Sequence, residues 1–374
     1  MKKQQDNQGQ NAQTDLSRDH FDTIIIGGGQ TGLSVGYGLA RTGRSFLILD
    51  ANKRIGDAWR QRWDSLKLFT PAFLNGLDGM RFPGKSHVFI SKDEMADYLE
   101  AYATHFKLPV KTGIRVDKLS KQGNTFIVSG GGQIFRSRNV VVAMANYQIP
   151  KVPDFARDIN PAIVQLHSKE YKNPSQLKKG NVLIVGVGNS GADIALDVVK
   201  NHKVFISGKE VGHIPFRIET LIARYLLVRL VRFVGHDILN TGTTVGRKLR
   251  PKALVSAAPL VRVKPNDLSD AGVERVPRVV GVQNGLPVLE DKRVLEVENI
   301  IWCSGYRPGF SWIDLPVLGE REEPFHERGV VASEPGLYFV GLHFLYSMTS
   351  DTVTGMTRDA RHIVKHILKS RIES

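Results

Sequence analysis

Three observations predict an α/β protein built from two dinucleotide-binding units, the second inserted into the first. Aliphatic runs end twice in a glycine turn, as IIIGGGQTG over Ile24–Gly32 and as VLIVGVGNSG over Val182–Gly191. Each turn leads into a helix-like stretch and then a second short aliphatic run, which is how a parallel strand, helix and strand read in succession. The chain has 374 residues, enough for two domains with their own cores and too few for a third.

In the first unit Gly27 supplies the tight turn out of the strand. Gly29 lets backbone approach a pyrophosphate, and Gly32 lets the helix pack close to the strand. The anion would rest on the free N–H groups at the helix start, beside Gln30 and Thr31. A helix over Leu33–Arg41 is predicted, with Gly43 as its cap. The strand FLILD, Phe46–Asp50, places Asp50 about twenty residues beyond the glycines, where a carboxylate accepts hydrogen bonds from ribose hydroxyls.

From Asn52 to Gly84 no period is visible. A helix over Lys92–Phe106 follows, opened by a capping box of Ser91 and Glu94 and closed by Pro109. Strands are expected over Lys111–Leu119 and Thr125–Ser129, then NVVVAMA beyond a flexible glycine stretch, Gly130–Gly132. Pro150 and Pro153 mark a domain crossing.

The second unit begins at Asn181. Gly186, Gly188 and Gly191 take the three glycine roles, with Asn189 and Ser190 at the helix start. Its second strand, VFIS, ends without a carboxylate, and Gly208 and Lys209 stand in that region. A missing acid and a present cation favour a 2′-phosphate, so NADPH is preferred and NADH is the alternative. Glu210 is adjacent, and a lysine grips phosphate only as a point charge.

Further strands are expected between Val276 and Val297, in NIIWCSGYRP and in LYFVGL, with a final helix over Thr354–Ile372. These last elements serve no third nucleotide motif and are expected to rejoin the first domain. The expected organisation is a disordered tail over 1–20, one domain from 21–155 and 309–374, and a second over 156–308. A basic insertion occupies about 213–264.

The net charge of +14 points to anionic partners. No nucleic-acid motif accompanies it, and the cations are scattered rather than in one run. Part of the surplus lies between His213 and Lys264, where ten basic side chains face Glu219 and Asp237. Cys303 is the only cysteine. It allows no intrachain disulfide, suits a reducing cytoplasm, and excludes flavin disulfide reductases that use a cysteine pair. Its apolar setting suggests a buried structural thiol.

The N-terminus lacks the apolar core of a signal peptide, and no run reaches the roughly eighteen apolar residues of a spanning helix. In LIARYLLVRLVRFV, Leu221–Val234, the three arginines share one arc and the remaining surface is apolar. A helix in a membrane interface has this pattern. A substrate lid, a homodimer contact and core packing fit it equally well.

With these motifs quoted, the chain resembles the flavin-containing monooxygenase superfamily, and within it small CzcO-like bacterial flavoproteins and the plant YUCCA monooxygenases. The resemblance spans Phe21–Ile372. It rests on the paired fingerprints, IGDAWRQRWDSLKLFTP over Ile55–Pro71, QLHSKEY over Gln165–Tyr171, GNSGADIA, and IIWCSGYRP over Ile301–Pro308. It implies two Rossmann-like domains of three-layer ββα form, the NADPH domain inserted into the FAD domain.

The implied reaction is reduction of FAD by NADPH, formation of a C4a-hydroperoxyflavin with O2, and transfer of one oxygen to a small lipophilic substrate at nitrogen, sulfur or a carbonyl carbon. Such a site must stay dry. By the same resemblance Asn75 stands beside the flavin as the catalytic residue, and Trp59 and Leu68 lie near the flavin. His167 and Tyr171 match an HxxxY linking fingerprint that couples cofactor binding to domain movement, and Ser304 and Gly305 belong to a second crossing motif.

The chain also departs from the pattern. Pro161 and Ile163 replace the FxG that begins the linking fingerprint, and Met144, Ala145 and Asn146 replace an ATG. Two other readings keep the same nucleotide motifs: a quinone reductase or oxidase without oxygen insertion, and a membrane-associated redox-binding protein that has lost turnover.

Overall fold

The computed structural model describes residues 19–320 and 322–370. The tail expected over 1–20 lies outside the described residues except for Asp19 and His20, and His20 opens the first strand.

Two parallel sheets organise the chain. In the first, Val110–Lys111, Phe46–Leu49, His20–Ile26, Gln133–Val142 and Leu337–Phe339 lie side by side and parallel. Helix Gln30–Ala40 makes the first crossover. Gln133–Val142 runs the full length of His20–Ile26 on one edge. Its other edge is shared: residues 133–137 pair antiparallel with Thr125–Gly130, and residues 140–142 pair parallel with Leu337–Phe339.

Strand alternation then fixes the layers. Ile25, Ile48, Val141 and Tyr338 face helices Lys92–His105 and Val353–Lys369. Ile24, Ile26, Val140 and Val142 face the antiparallel ribbon, meeting Leu119, Phe126 and Phe135.

The second sheet repeats the plan. Its parallel order is Val164–His167, Asn299–Trp302, Val182–Val185, Val204–Ser207, Glu274–Val276. Val182 and Ile184 pack on helix Asn189–Val198, while Leu183, Phe205 and Trp302 pack on the hairpin Val279–Gln283 and Leu286–Leu289. Between the sheets, Ile149–Pro150 pairs antiparallel with Tyr306–Arg307. The chain leaves the first sheet and returns to it through this ribbon.

The helix over Lys92–His105 carries both hydrogen bonds of the predicted capping box: Ser91 Oγ accepts from Glu94 N at 3.2 Å, and Glu94 Oε2 accepts from Ser91 N at 2.7 Å. The stretch Gly130–Gly132 is a hairpin rather than a flexible separator. Gly131 and Gly132 have φ of +58° and +74°, the sign both central residues of a type I′ turn require, and the last strand therefore begins at Gln133. The unpatterned segment 52–84 forms a short helix, Asp57–Arg60, and a strand, Lys67–Pro71, paired with Phe89–Ser91.

The basic insertion holds one helical run with π-helical turns at Ala223–Leu227 and Val234–Ile238 around the α-helical Val228–Phe233, then a separate helix, Thr244–Val255. Core packing does not account for the large apolar side chains of 221–233, because Leu221, Ile222, Leu226, Leu230 and Phe233 face outward. Two of the arginines sit against aromatic rings: the half-buried Arg224 lies over the Phe89 ring at 5.4 Å, and Arg229, itself exposed, over Phe73 at 5.3 Å. No helix among the described residues is long and apolar enough to cross a membrane.

Candidate functional site

The two glycine turns are built alike. Gly27 and Gly186 have φ of +109° and +118°, which a side chain would strain. A Cβ on Gly32 would overlap the Gly27 carbonyl oxygen, and one on Gly191 the Gly186 carbonyl oxygen. At Gly29 and Gly188 a Cβ would meet nothing within 4 Å, so each middle glycine borders open space. Both residues are helix N-caps without a side-chain cap, in contrast to the fully capped helix at Ser91. The open cradle and the uncapped first-turn N–H groups fit a pyrophosphate at each turn.

The sequels differ. Gly27 N donates to Leu49 O at 2.8 Å, and Gly186 N donates to Ser207 O at 2.7 Å. The next residues, Asp50 and Gly208, are therefore structural counterparts. Asp50 is buried, and its carboxylate accepts from Gly28 N and Asn52 N, both at 2.7 Å. A carboxylate has about four lone-pair directions, which leaves capacity for ribose hydroxyls. Gly208 offers none. Lys209 beyond it is exposed.

Sequence reasoning missed a second cation. Arg275 pairs in register with Ile206 and donates from Nη2 to Gly208 O at 2.6 Å. Partial desolvation of this exposed side chain lowers its pKa, and Glu210 acts against that lowering. Only strand pairing, 67 residues away, brings it there.

Around the first turn, Gln30 Oε1 accepts from Trp59 Nε1 at 3.1 Å, and Thr31 Oγ1 donates to Met356 Sδ at 3.2 Å. Leu68 is buried in the core of this unit. Around the second turn Asn189 is spent on the insertion: Nδ2 donates to Pro259 O and Oδ1 accepts from Val261 N, both at 3.0 Å. Ser190 is half-buried in the first turn of the same helix. One turn further on, Asp193 pairs with Arg262 at 2.8 Å, and burial holds its carboxyl above the usual carboxylate range.

His167 and Tyr171 brace the chain crossing. His167 Nδ1 accepts from Lys169 N at 3.1 Å, so Nε2 carries the proton and donates to Gly305 O at 3.0 Å. Burial lowers its pKa. Ser304 Oγ donates to Lys151 O, and Lys151 N to Gly305 O. Tyr171 is fully buried and donates to Asp197 at 3.0 Å.

The loop after Ile55 joins the same crossing. Arg62 donates to Tyr306 Oη at 3.0 Å, Asp64 accepts from Asn173 at 2.7 Å, and Trp63 sits in the core of the second unit. Cys303, half-buried below Gly186, has its thiol pushed up to about 12 by burial.

Asn75 is fully buried, and Thr70 holds both ends of its carboxamide: Oδ1 accepts from Thr70 Oγ1 at 2.5 Å and Nδ2 donates to Thr70 O at 3.0 Å. An open cleft of about 350 Å³ lies between the strand pair and the insertion, lined by Lys67, Val88, Phe89, Glu219, Arg224 and Arg262. No local pattern marks it, because its walls come from separate segments of the chain.

A family model described as pyridine nucleotide-disulphide oxidoreductase matches residues 24–234. An uncharacterized CzcO-like oxidoreductase of Geobacillus kaustophilus is 34% identical over 349 residues, covering 93% of this chain and 98% of that protein. The indole-3-pyruvate monooxygenase YUCCA1 of Oryza sativa is 30% identical over 377 residues, covering 92% and 90%. Among solved structures, a flavin-containing monooxygenase from Stenotrophomonas maltophilia is similar with a TM-score of 0.75 at 27% identity, covering 94% of this chain and 99% of that one.

Proposed function

The chain belongs to the flavin-containing monooxygenases within the pyridine nucleotide-disulphide oxidoreductase family, and on that premise we propose an FAD- and NADPH-dependent monooxygenase acting on a small lipophilic substrate. NADPH, O2, a proton and the substrate would give NADP+, water and a substrate oxygenated at nitrogen, sulfur or a carbonyl carbon. Bound FAD supplies the two-electron chemistry that links nicotinamide to oxygen.

The observation that carries this reading is the inequality of two otherwise matching turns. Asp50, with its remaining acceptor capacity, would hold the ribose of FAD. Gly208, flanked by Lys209 and Arg275, would receive the 2′-phosphate of NADPH. FAD would thus belong to the domain formed by 21–155 and 309–374, and NADPH to 156–308. His167, neutral and committed to Gly305, would hold the crossing ribbon in register while the domains adjust around the nicotinamide. With Trp63 and Tyr171 it would help to keep water from the space between them.

A reductase or oxidase without oxygen insertion is the second reading, and Asn75 favours it: a carboxamide already engaged at both ends by Thr70 is poorly placed to serve a reacting oxygen. One experiment separates the two. The purified yellow protein is reduced anaerobically with NADPH, mixed with O2 and followed by the flavin spectrum. Slow return of the oxidised band supports oxygenation, immediate return supports a reductase or oxidase, and absence of bound FAD removes both.

A further inference from the structure

We infer that the outward face of segment 221–233 docks this protein onto an anionic lipid surface. The run is inverted relative to an ordinary surface helix, which turns its apolar stripe inward. Here Ala223 and Val228 are buried, Arg224 is half-buried over the Phe89 ring, and the exposed Arg229 reaches over the Phe73 ring. The large apolar side chains point to water: Leu221 is 71% exposed, Leu226 63% and Leu230 55%, with Ile222 and Phe233 also more than half exposed. Ile222, Leu226, Leu230 and Phe233 follow at spacings of four, four and three, one continuous ridge over the π- and α-helical turns. A contiguous apolar ridge on a water-soluble protein marks a contact surface.

Charge identifies the occupant. The insertion from His213 to Lys264 carries ten basic side chains against two acidic ones, in a chain of net charge +14. A second copy meeting this face across a two-fold axis would bring the same cations together. A bilayer with acidic headgroups offers acyl chains to the ridge and counter-charge to its surroundings. The exposed Lys248 and Lys252 on the neighbouring helix contribute to that attraction. The inference does not depend on which reaction the nucleotide sites perform.

Flotation of the full-length flavin-loaded protein on vesicles tests it, using phosphatidylcholine alone and phosphatidylcholine with phosphatidylglycerol. The native chain should float with the anionic vesicles, less at high salt and much less with phosphatidylcholine alone. Ile222→Ser, Leu226→Ser and Leu230→Ser combined should cut the partition coefficient by about a hundred-fold, with the flavin spectrum and melting temperature retained. Lys248→Gln with Lys252→Gln should lower binding to anionic vesicles only. A native protein that does not float, or a triple-serine variant that floats equally, overturns the inference. So does a native dimer in solution that the serine substitutions split, since the ridge would then join two copies.

Discussion

Replacing Arg275 by alanine should change which nicotinamide the protein accepts and leave its fold alone. The guanidinium has five N–H donors; the structure commits one of them, at 2.6 Å to the Gly208 carbonyl, and the others remain for a phosphate at the end of that strand. A hydrogen bond to a charged group contributes about 1.5–3 kcal/mol. Because the residue is exposed, the lower half of that range applies, corresponding to a loss of about ten- to forty-fold in NADPH affinity. Lys209, exposed and a point charge, should contribute no more than about five-fold.

NADH lacks the 2′-phosphate and should be nearly indifferent to either change. Stopped-flow measurement of flavin reduction against NADPH and NADH concentration gives both values, with Arg275→Lys expected in between. Equal losses for the two nucleotides in Arg275→Ala, or an intact NADPH preference in Arg275→Ala Lys209→Ala, would refute the assignment of this strand end to the 2′-phosphate.

Geometry and charge set three further outcomes. Gly29→Ala, at an N-cap with φ of −77° and open space before it, should fold normally but bind FAD weakly in a flavin titration; Gly32→Ala, whose methyl would overlap the Gly27 carbonyl, should fail to accumulate as folded protein. Burial and nearby cations lower the pKa of His236 from the ordinary 6.5 to about 4, so the fold holds it neutral. Its contribution is complete above pH 6.5 and is lost as pH falls toward 4. Melting temperature should therefore drop across that window, and His236→Gln should drop less; an unchanged slope would remove His236 as a cause.

Local rules carried most of what could be read in advance. The glycine turns, the Ser91 capping box and the aliphatic strands depend on neighbours a few residues apart, and each stands where the spacing put it. The register of the second sheet is different: Arg275 reaches Gly208 through strand pairing that no local pattern encodes. The orientation of 221–233 escaped for a related reason. Periodicity showed that arginines and apolar residues part to opposite sides, but not that the apolar side would be left facing outward while Arg224 and Arg229 settle over the rings of Phe89 and Phe73. At Asn75 the family resemblance suggested a role at the flavin, while the side chain's own partner, Thr70, lies only five residues away.

The shared edge of Gln133–Val142 also sets an order of events during synthesis. Its last three residues wait for Leu337–Phe339, almost two hundred positions later, and helix Gln30–Ala40 waits longer still for Val353–Lys369 to cover it. The second sheet is complete by Trp302, so on the ribosome the inserted unit can close while the unit around it is unfinished. Until the C-terminal helix emerges, the side of Gln30–Ala40 that packs at Gly38 against Val364 has no lid, and a chain stopped short of residue 353 is a substrate for chaperones and proteases rather than an enzyme with one helix missing.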